Sequence, residues 1–497
     1  MTGPRNCCIA ELILAPTLDL ASGFGAPSEG AWLKLVEKTL KGAGPETLIS
    51  RTRDGIEIAP LYRDGPAAPV RKGPPADSSR PWDIRATIRH PDPAKANAQI
   101  LQDLQGGAAS VLVKLDPKGK SGVAVGSKDD LARVLSGVLL DIAPVALNAG
   151  FRGPDAADWL GELMKGAPGA EPQFHLDPLT AFAQGGGSPG PIESHIIHAA
   201  TVAVRLGRSY PKAGLFIASG RIAHEAGGTE AQELAQAMAC GIAYVRALTR
   251  AGASADQAFG GVVLGLSGPA DYFATIAKLR AARILWAKVV AASGADASVP
   301  ARIEVRSSHR MLSALDPWTN MLRLASAAFG AGVGGADAIV LGSFTDALDG
   351  LPTAFSRRQA RNTQLVLMEE AHIARVADPA GGAWFLESLT DGMARAAWAK
   401  FQAIEAAGGI VAALESGFVQ REIAEAAAAE EEAVRSGARQ ILGVTKFRNA
   451  DMGKLEVDEV DGSRFAVSAT DPRKPGPDSA CAPLKPHRLA ERFEGAQ

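Results

Sequence analysis

The chain has 497 residues, of which 46% are apolar and 21% charged, with 52 Lys plus Arg against 54 Asp plus Glu. That composition excludes a wholly disordered protein, and the near-neutral balance excludes a nucleic-acid binder built on basic excess. At about 150 residues per domain the length fits about three domains, or one α/β barrel of about 250 residues carrying extensions.

The four cysteines, Cys7, Cys8, Cys240 and Cys481, form no Cys-x-x-Cys pair. Neither a zinc ribbon nor a disulfide framework is expected, and a reduced, cytoplasmic setting fits. Glu11 interrupts an apolar patch over Cys7–Ala15, and Arg5 alone supplies an early positive charge, so no secretory leader is expected. No run of about 18 uncharged apolar residues occurs, so no membrane span is expected.

Residues 1–80 read as an N-terminal arm and linker. Trp32, Leu33, Val36 and Leu40 recur at helical spacing and stop at Gly42 and Gly44. A Pro/Gly-rich run over Gly65–Pro75 reads as the linker. From residue 81, short apolar runs alternate with longer helical patterns. The strands expected are Ile84–Arg89, Ser110–Leu115, Val138–Ile142, Val145–Leu147, Gln173–Leu176, Leu215–Ser219, Arg302–Arg306 and Ala336–Leu341. The third and fourth are close together for strands joined by a crossover. Tyr272, Ile276, Leu279, Trp286 and Val290 make one stripe of a helix over Ala270–Val290. This alternation predicts an α/β fold, a (β/α)8 TIM barrel over residues 81–388, with an open doubly wound sheet as the alternative.

After Pro379 the pattern turns helical. Leu389, Met393, Ala397, Phe401 and Ile404 form a stripe that ends at Gly408-Gly409, and Gln420–Gly437 is an Ala/Glu-rich helix. Residues 389–470 read as a C-terminal helical extension. Residues 471–497, rich in Pro and charge, read as a tail.

Four short motifs have bland readings. Gly330-Ala-Gly332-Val-Gly334-Gly335 fits Gly-x-Gly-x-x-Gly, but it follows a helix and precedes a strand, the reverse of a dinucleotide site. A helix C-cap and tight turn is expected there instead. Gly119-Lys-Ser121 lacks the earlier glycine of a phosphate loop, because Lys114 stands in its place, so a polar turn is expected. The eight histidines show no metal spacing, and no metal site is expected. Lys278, Arg280 and Arg283, like Arg357, Arg358 and Arg361, suit ion pairs or a subunit contact. The loop from Gly220 to Gly228 is less bland. It follows a strand and precedes a helix capped by Thr229 and Gln232. In a barrel it lies on the ligand-binding face, where Arg221, His224 and the helix N-terminus can hold an anion. Alternatively, His224 and Glu225 brace the loop.

Several blocks resemble the methylmalonyl-CoA mutase family. They are Trp32–Gly42, Asp54-Gly-Ile56, Pro60-Leu-Tyr62, Arg80-Pro-Trp-Asp-Ile-Arg85, Ala277–Arg283 with Leu285-Trp286, and Asp316-Pro-Trp318 with Asn320. Further on come Leu351–Phe355, Ala360–Leu365 with Glu369-Glu370, Ala377–Gly382, Glu387-Ser-Leu389 and Ala394–Trp398. They follow family order across about residues 30–450. The resemblance implies a barrel whose axis admits an acyl-CoA and a radical isomerisation of a CoA thioester that depends on adenosylcobalamin.

The departures point to a non-catalytic chain. No Asp stands two residues before any histidine, so the Asp-x-His-x-x-Gly motif that ligates cobalt is missing, and the family's C-terminal cobalamin-binding domain is not expected in this sequence. Arg85-Ala86-Thr87 stands where catalytic chains of the family read Arg-Gln-Tyr, and Ile222 stands where they place a hydrogen-bonding His. His224 is placed as in the family's small (beta) subunits. The resemblance therefore implies a small subunit that stabilises a catalytic large subunit. The cofactor, adenosylcobalamin, would come through that partner in converting methylmalonyl-CoA and succinyl-CoA. The alternatives are a split acyl-CoA mutase working with a separate cobalamin-binding chain, and a CoA-thioester-binding protein. Candidate ligand-binding residues at the barrel mouth are Arg85, Thr87, Asn148, Arg221, His224, Arg306 and Ser308. No catalytic residue is assigned to this chain.

Overall fold

The computed structural model describes residues 23, 25, 28–66, 80–167, 169–373, 375–449 and 453–495. The patch Cys7–Ala15 and most of the run Gly65–Pro75 lie outside the described residues. The chain divides into two compact units: residues up to Ser50 with Glu57–Pro60, and Arg51–Ile56 with Leu61 onward.

In the smaller unit the expected helix spans Glu29–Thr39. The Ser28 hydroxyl accepts the Ala31 amide at 3.2 Å, and Glu29 and Lys38 sit at the ends where the helix dipole favours them. None of its residues is buried, and Leu35 is 64% exposed.

The larger unit holds eight parallel strands closed into a barrel, which rules out the open sheet. They are β1 (Asp83–Ile88), β2 (Ser110–Lys114), β3 (Val145–Asn148), β4 (Gln173–Leu176), β5 (Gly214–Ser219), β6 (Val262–Gly268), β7 (Arg302–Ser307) and β8 (Ala338–Val340). β8 closes on β1 through the pairs Ala338 with Asp83 and Ile339 with Ile84. Closure removes the exposed sheet edges.

One expected strand fails and one strand was not expected. Val138–Ile142 is a run of turns after the helix Lys128–Val134; Gly137 has φ +75°, and Leu139 and Ile142 are 64% and 67% exposed. Apolar content imitates a strand there without a partner to pair with. The missing strand is β6, whose Gly265 and Gly268 interrupt the apolar run. A Cβ at Gly265 would sit 3.0 Å from the Ile217 side chain, so the interior admits only glycine without a shift.

The glycine-rich motif is a helix end. Pro317–Val333 runs through Gly330 and Gly332, Gly334 caps it, and Gly335 has φ +82°. Gly330 also lets this helix approach Tyr272–Ala292, because a Cβ would lie 2.9 Å from the Tyr272 backbone. Gly119-Lys-Ser121 is a polar turn, in which the Asp116 carboxylate accepts the Lys118 and Ser121 amides. The helix Tyr272–Ala292 is buried nearly all round, so its cations are paired: Lys278 with Glu233, Arg280 with Asp378 and Glu387, and Arg283 with Asp337.

The helices Trp384–Ala406, Ile410–Glu415 and Phe418–Arg435 follow, the first packed on Glu230–Arg250 and Tyr272–Ala292. The tail is tied down. The amides of Cys481, Leu484, His487 and Leu489 bond the carbonyls of Gly186, Ala183, Glu225 and Arg310. Those carbonyls belong to the segments after β4, β5 and β7, so the tail crosses the C-terminal end of the barrel. Among the described residues no helix is long and apolar enough to cross a membrane.

Candidate functional site

Alternate residues of a strand share one face. Arg85 and Thr87 of β1, Leu112 and Lys114 of β2, His175 of β4, Ile217 and Ser219 of β5, and Glu304 and Arg306 of β7 accordingly point into the barrel. Halfway up, Glu304 gathers charge. Arg85 Nη1 lies 2.6 Å from one carboxylate oxygen, and Arg306 Nε lies 2.7 Å from the other. Burial alone would raise this carboxyl, but Arg306 and Arg85 outweigh it and hold it well below the usual range.

Above this layer opens a cavity of about 470 Å³. Leu112, Leu147, Ile217, Ile222 and Val340 supply apolar wall; Arg89, Lys114, Arg221 and Arg306 supply cations; Pro486 of the tail reaches its rim. Arg89 pairs with Asp346 at 2.6 Å, and Arg221 lies 3.7 Å from Glu225. Glu225 in turn accepts the His309 and Arg310 amides. Burial pushes the Arg221 guanidinium down to about 10, helped by Arg306. Burial, then Arg89, lowers the Lys114 ammonium. Among the described residues no side chain hydrogen-bonds or ion-pairs with Lys114.

His175 is strained and unsatisfied. Its φ is +47°, a left-handed conformation that costs a non-glycine residue ~1–3 kcal/mol, at a register shift in β4. Neither ring nitrogen has a hydrogen-bond partner, and Glu304 is 3.9 Å away. Burial, with Arg85 and Arg306, pushes its pKa down to about 3, so the ring is neutral at physiological pH. Asp177 nearby caps the helix Pro178–Gly185 and accepts the Tyr244 hydroxyl at 2.6 Å; burial pushes its carboxyl up to about 6.

Behind the wall, His224 Nε2 meets the Ser308 hydroxyl at 2.7 Å, and its Nδ1 lies 3.6 Å from Glu233. Glu233 and Lys278 form an ion pair of 2.6 Å with both side chains fully buried. Burial, then Arg310 and Lys278, holds His224 far below the ordinary histidine range.

The cavity therefore collects Thr87, Asn148, Arg221, Arg306 and Ser308 of the expected site residues. The other two do not line it. Arg85 donates to Glu304 at 2.6 Å and to Ser110 Oγ at 2.9 Å. His224 is bonded to Ser308. Lys114, His175, Arg89 and Asp177 were missed. The signal was present: Ser110, Leu112 and Lys114 alternate along one strand, as do His175 and Asp177.

The imidazoles at this end of the barrel do not suit a corrinoid cobalt. His175 is closed in beside Glu304, His224 is bonded to Ser308, and the His309 Nε2 sits 3.2 Å from the Asp346 carbonyl. Among the described residues no three His, Cys, Asp or Glu side chains are grouped to hold a metal ion.

The pattern of the family described as methylmalonyl-CoA mutase matches residues 67–471. A methylmalonyl-CoA mutase small subunit of Streptomyces virginiae is 39% identical over 453 residues, covering 86% of this chain and 72% of that protein. The small subunit of Propionibacterium freudenreichii subsp. shermanii is 34% identical, covering 87% and 70%. A methylmalonyl-CoA mutase of Cereibacter sphaeroides is 33% identical, covering 87% and 66%. With a barrel of this closure and matches of this extent, the chain belongs to the methylmalonyl-CoA mutase family, a family of isomerases.

Proposed function

We propose that this chain is the small subunit of a heterodimeric, adenosylcobalamin-dependent methylmalonyl-CoA mutase, and that it stabilises a catalytic large subunit without performing the isomerisation itself. The observation that carries this reading is the position of Thr87 and Ile222. Both line the cavity at the barrel mouth, where the family resemblance calls for a tyrosine ring and a hydrogen-bonding imidazole. A radical site must exclude water and hold the thioester carbonyl with donors; threonine is too small to fill a ring's place, and isoleucine donates nothing. Loss of one such donor typically costs about 100- to 1000-fold in rate. Adenosylcobalamin supplies the radical chemistry when bound, and this reading assigns its binding to the large subunit.

The helix Glu29–Thr39, none of whose residues is fully buried, suits docking on the large subunit. The unpaired thiols of Cys240 and Cys481 agree with a reducing, cytoplasmic setting. Co-expression with a large subunit tests the reading: a 1:1 complex is expected, with a more heat-stable large subunit than when expressed alone. Failure to assemble overturns it.

A further inference from the structure

The mouth cavity carries chemistry that a purely structural barrel does not need. Its carboxylates are committed: Asp346 to Arg89, Glu304 to Arg85 and Arg306, Glu225 to two backbone amides, and Asp177 to the Tyr244 hydroxyl and the Thr180 amide. Lys114 is left over. Arg89 and Arg306 are the cations that repel it, and the carboxylate that attracts it, Asp116, is engaged in its own turn. A donor on the same cavity is also unused: the Arg221 Nε is buried without a partner. Beside these polar groups lies the apolar wall of Leu112, Leu147 and Ile217.

We propose that this cavity binds a small aliphatic carboxylate, its anionic end taken by Lys114 and Arg221, and its body resting on Leu112, Leu147 and Ile217. This goes beyond the subunit reading and does not depend on it. Two observations favour a free acid over the same carboxylate carried on a CoA thioester. The volume, about 470 Å³, is in the lower part of the ~300–1,000 Å³ range of small-molecule pockets. The tail crosses the opening, with Pro486 at the rim and the His487 amide bonded to the Glu225 carbonyl at 3.1 Å.

The test is calorimetric titration of the full chain, within its complex if it is purified that way. The probes are butyrate, the neutral isostere butyramide, and butyryl-CoA with succinyl-CoA. Butyrate is expected to bind and butyramide to fail. Lys114→Met should weaken butyrate roughly tenfold or more, as loss of a charged hydrogen bond does. Ile217→Phe, which fills the apolar wall and leaves every charge in place, should abolish binding; melting curves confirm that both variants are folded. The thioesters are expected neither to bind nor to displace butyrate. No heat with millimolar butyrate overturns the proposal. Equal binding of butyramide, unchanged affinity in both folded variants, or tighter binding of a thioester that displaces the acid also overturns it. Neither result bears on assembly with a large subunit.

Discussion

The His224 imidazole and the Ser308 hydroxyl are joined at 2.7 Å across the segments that follow β5 and β7. With Glu233 behind the ring at 3.6 Å, the three residues have the outline of a nucleophilic triad. The electrostatics oppose that chemistry. Burial, then Arg310, Lys278, Arg53 and Arg221, disfavours the imidazolium that a general base must become. Ser308 is expected to resist labelling by a fluorophosphonate probe, read by mass spectrometry of the intact chain. Ser308→Ala should cost about 1 kcal/mol of stability, through an unpaired ring nitrogen, and should not change turnover of the assembled enzyme.

Glu233 and Lys278 form a different dependency, since each is charged and fully buried. Lys278→Met leaves the carboxylate alone in the interior and should cost ~3–5 kcal/mol in denaturant unfolding. Adding Glu233→Gln removes the stranded charge and should recover part of that loss. A double variant no more stable than the single one contradicts the pairing.

Glu430 ties three segments to the outside of the barrel. It pairs with Arg53 at 3.3 Å, with Arg310 and with Arg439. Arg53 also donates to the carbonyls of Gly227 and Gly228. Glu430→Gln leaves three crowded guanidinium groups and should cost about 3 kcal/mol or more. Hydrogen exchange should then speed up at Ile56, whose amide bonds Thr52 Oγ1, before it does in the barrel strands.

His175 makes stability depend on acid. Its folded pKa, about 3, lies below the unfolded value of 6.5, so its contribution is complete above pH 6.5 and is lost as the pH falls toward 3. The loss approaches ~1.4 kcal/mol per pH unit for one proton. His224 is lowered as well and adds to the slope. Asp177, raised to about 6, titrates in the same range with the opposite sign, so the difference in slope between the parent chain and a His175 variant, not the total slope, reads the ring. His175→Asn suits the left-handed backbone and should flatten the slope of unfolding free energy in that range by about one proton. An unchanged slope contradicts the buried, neutral ring.

The barrel was legible because seven of its strands are short apolar runs between helical patterns. β6 was hidden by Gly265, which is needed where Ile217 fills the interior, a constraint set by the neighbouring strand. The false strand Val138–Ile142 shows the converse, apolar residues in an exposed turn. At the cavity, Arg221 was singled out by its place in the loop after a strand and Thr87 by the family resemblance, and both line it with Asn148, Arg306 and Ser308. The isolation of Lys114 was not legible, because it depends on which carboxylates Arg89 and Arg306 capture across the barrel. The pairing of Arg85 was not legible for the same reason, since Glu304 lies 219 positions away in sequence.

The most direct measurement is isomerisation of methylmalonyl-CoA by the purified chain supplied with adenosylcobalamin, set beside the same assay with a large subunit added. The account predicts no succinyl-CoA from the chain alone and turnover only from the pair. Succinyl-CoA formed by the isolated chain would contradict it.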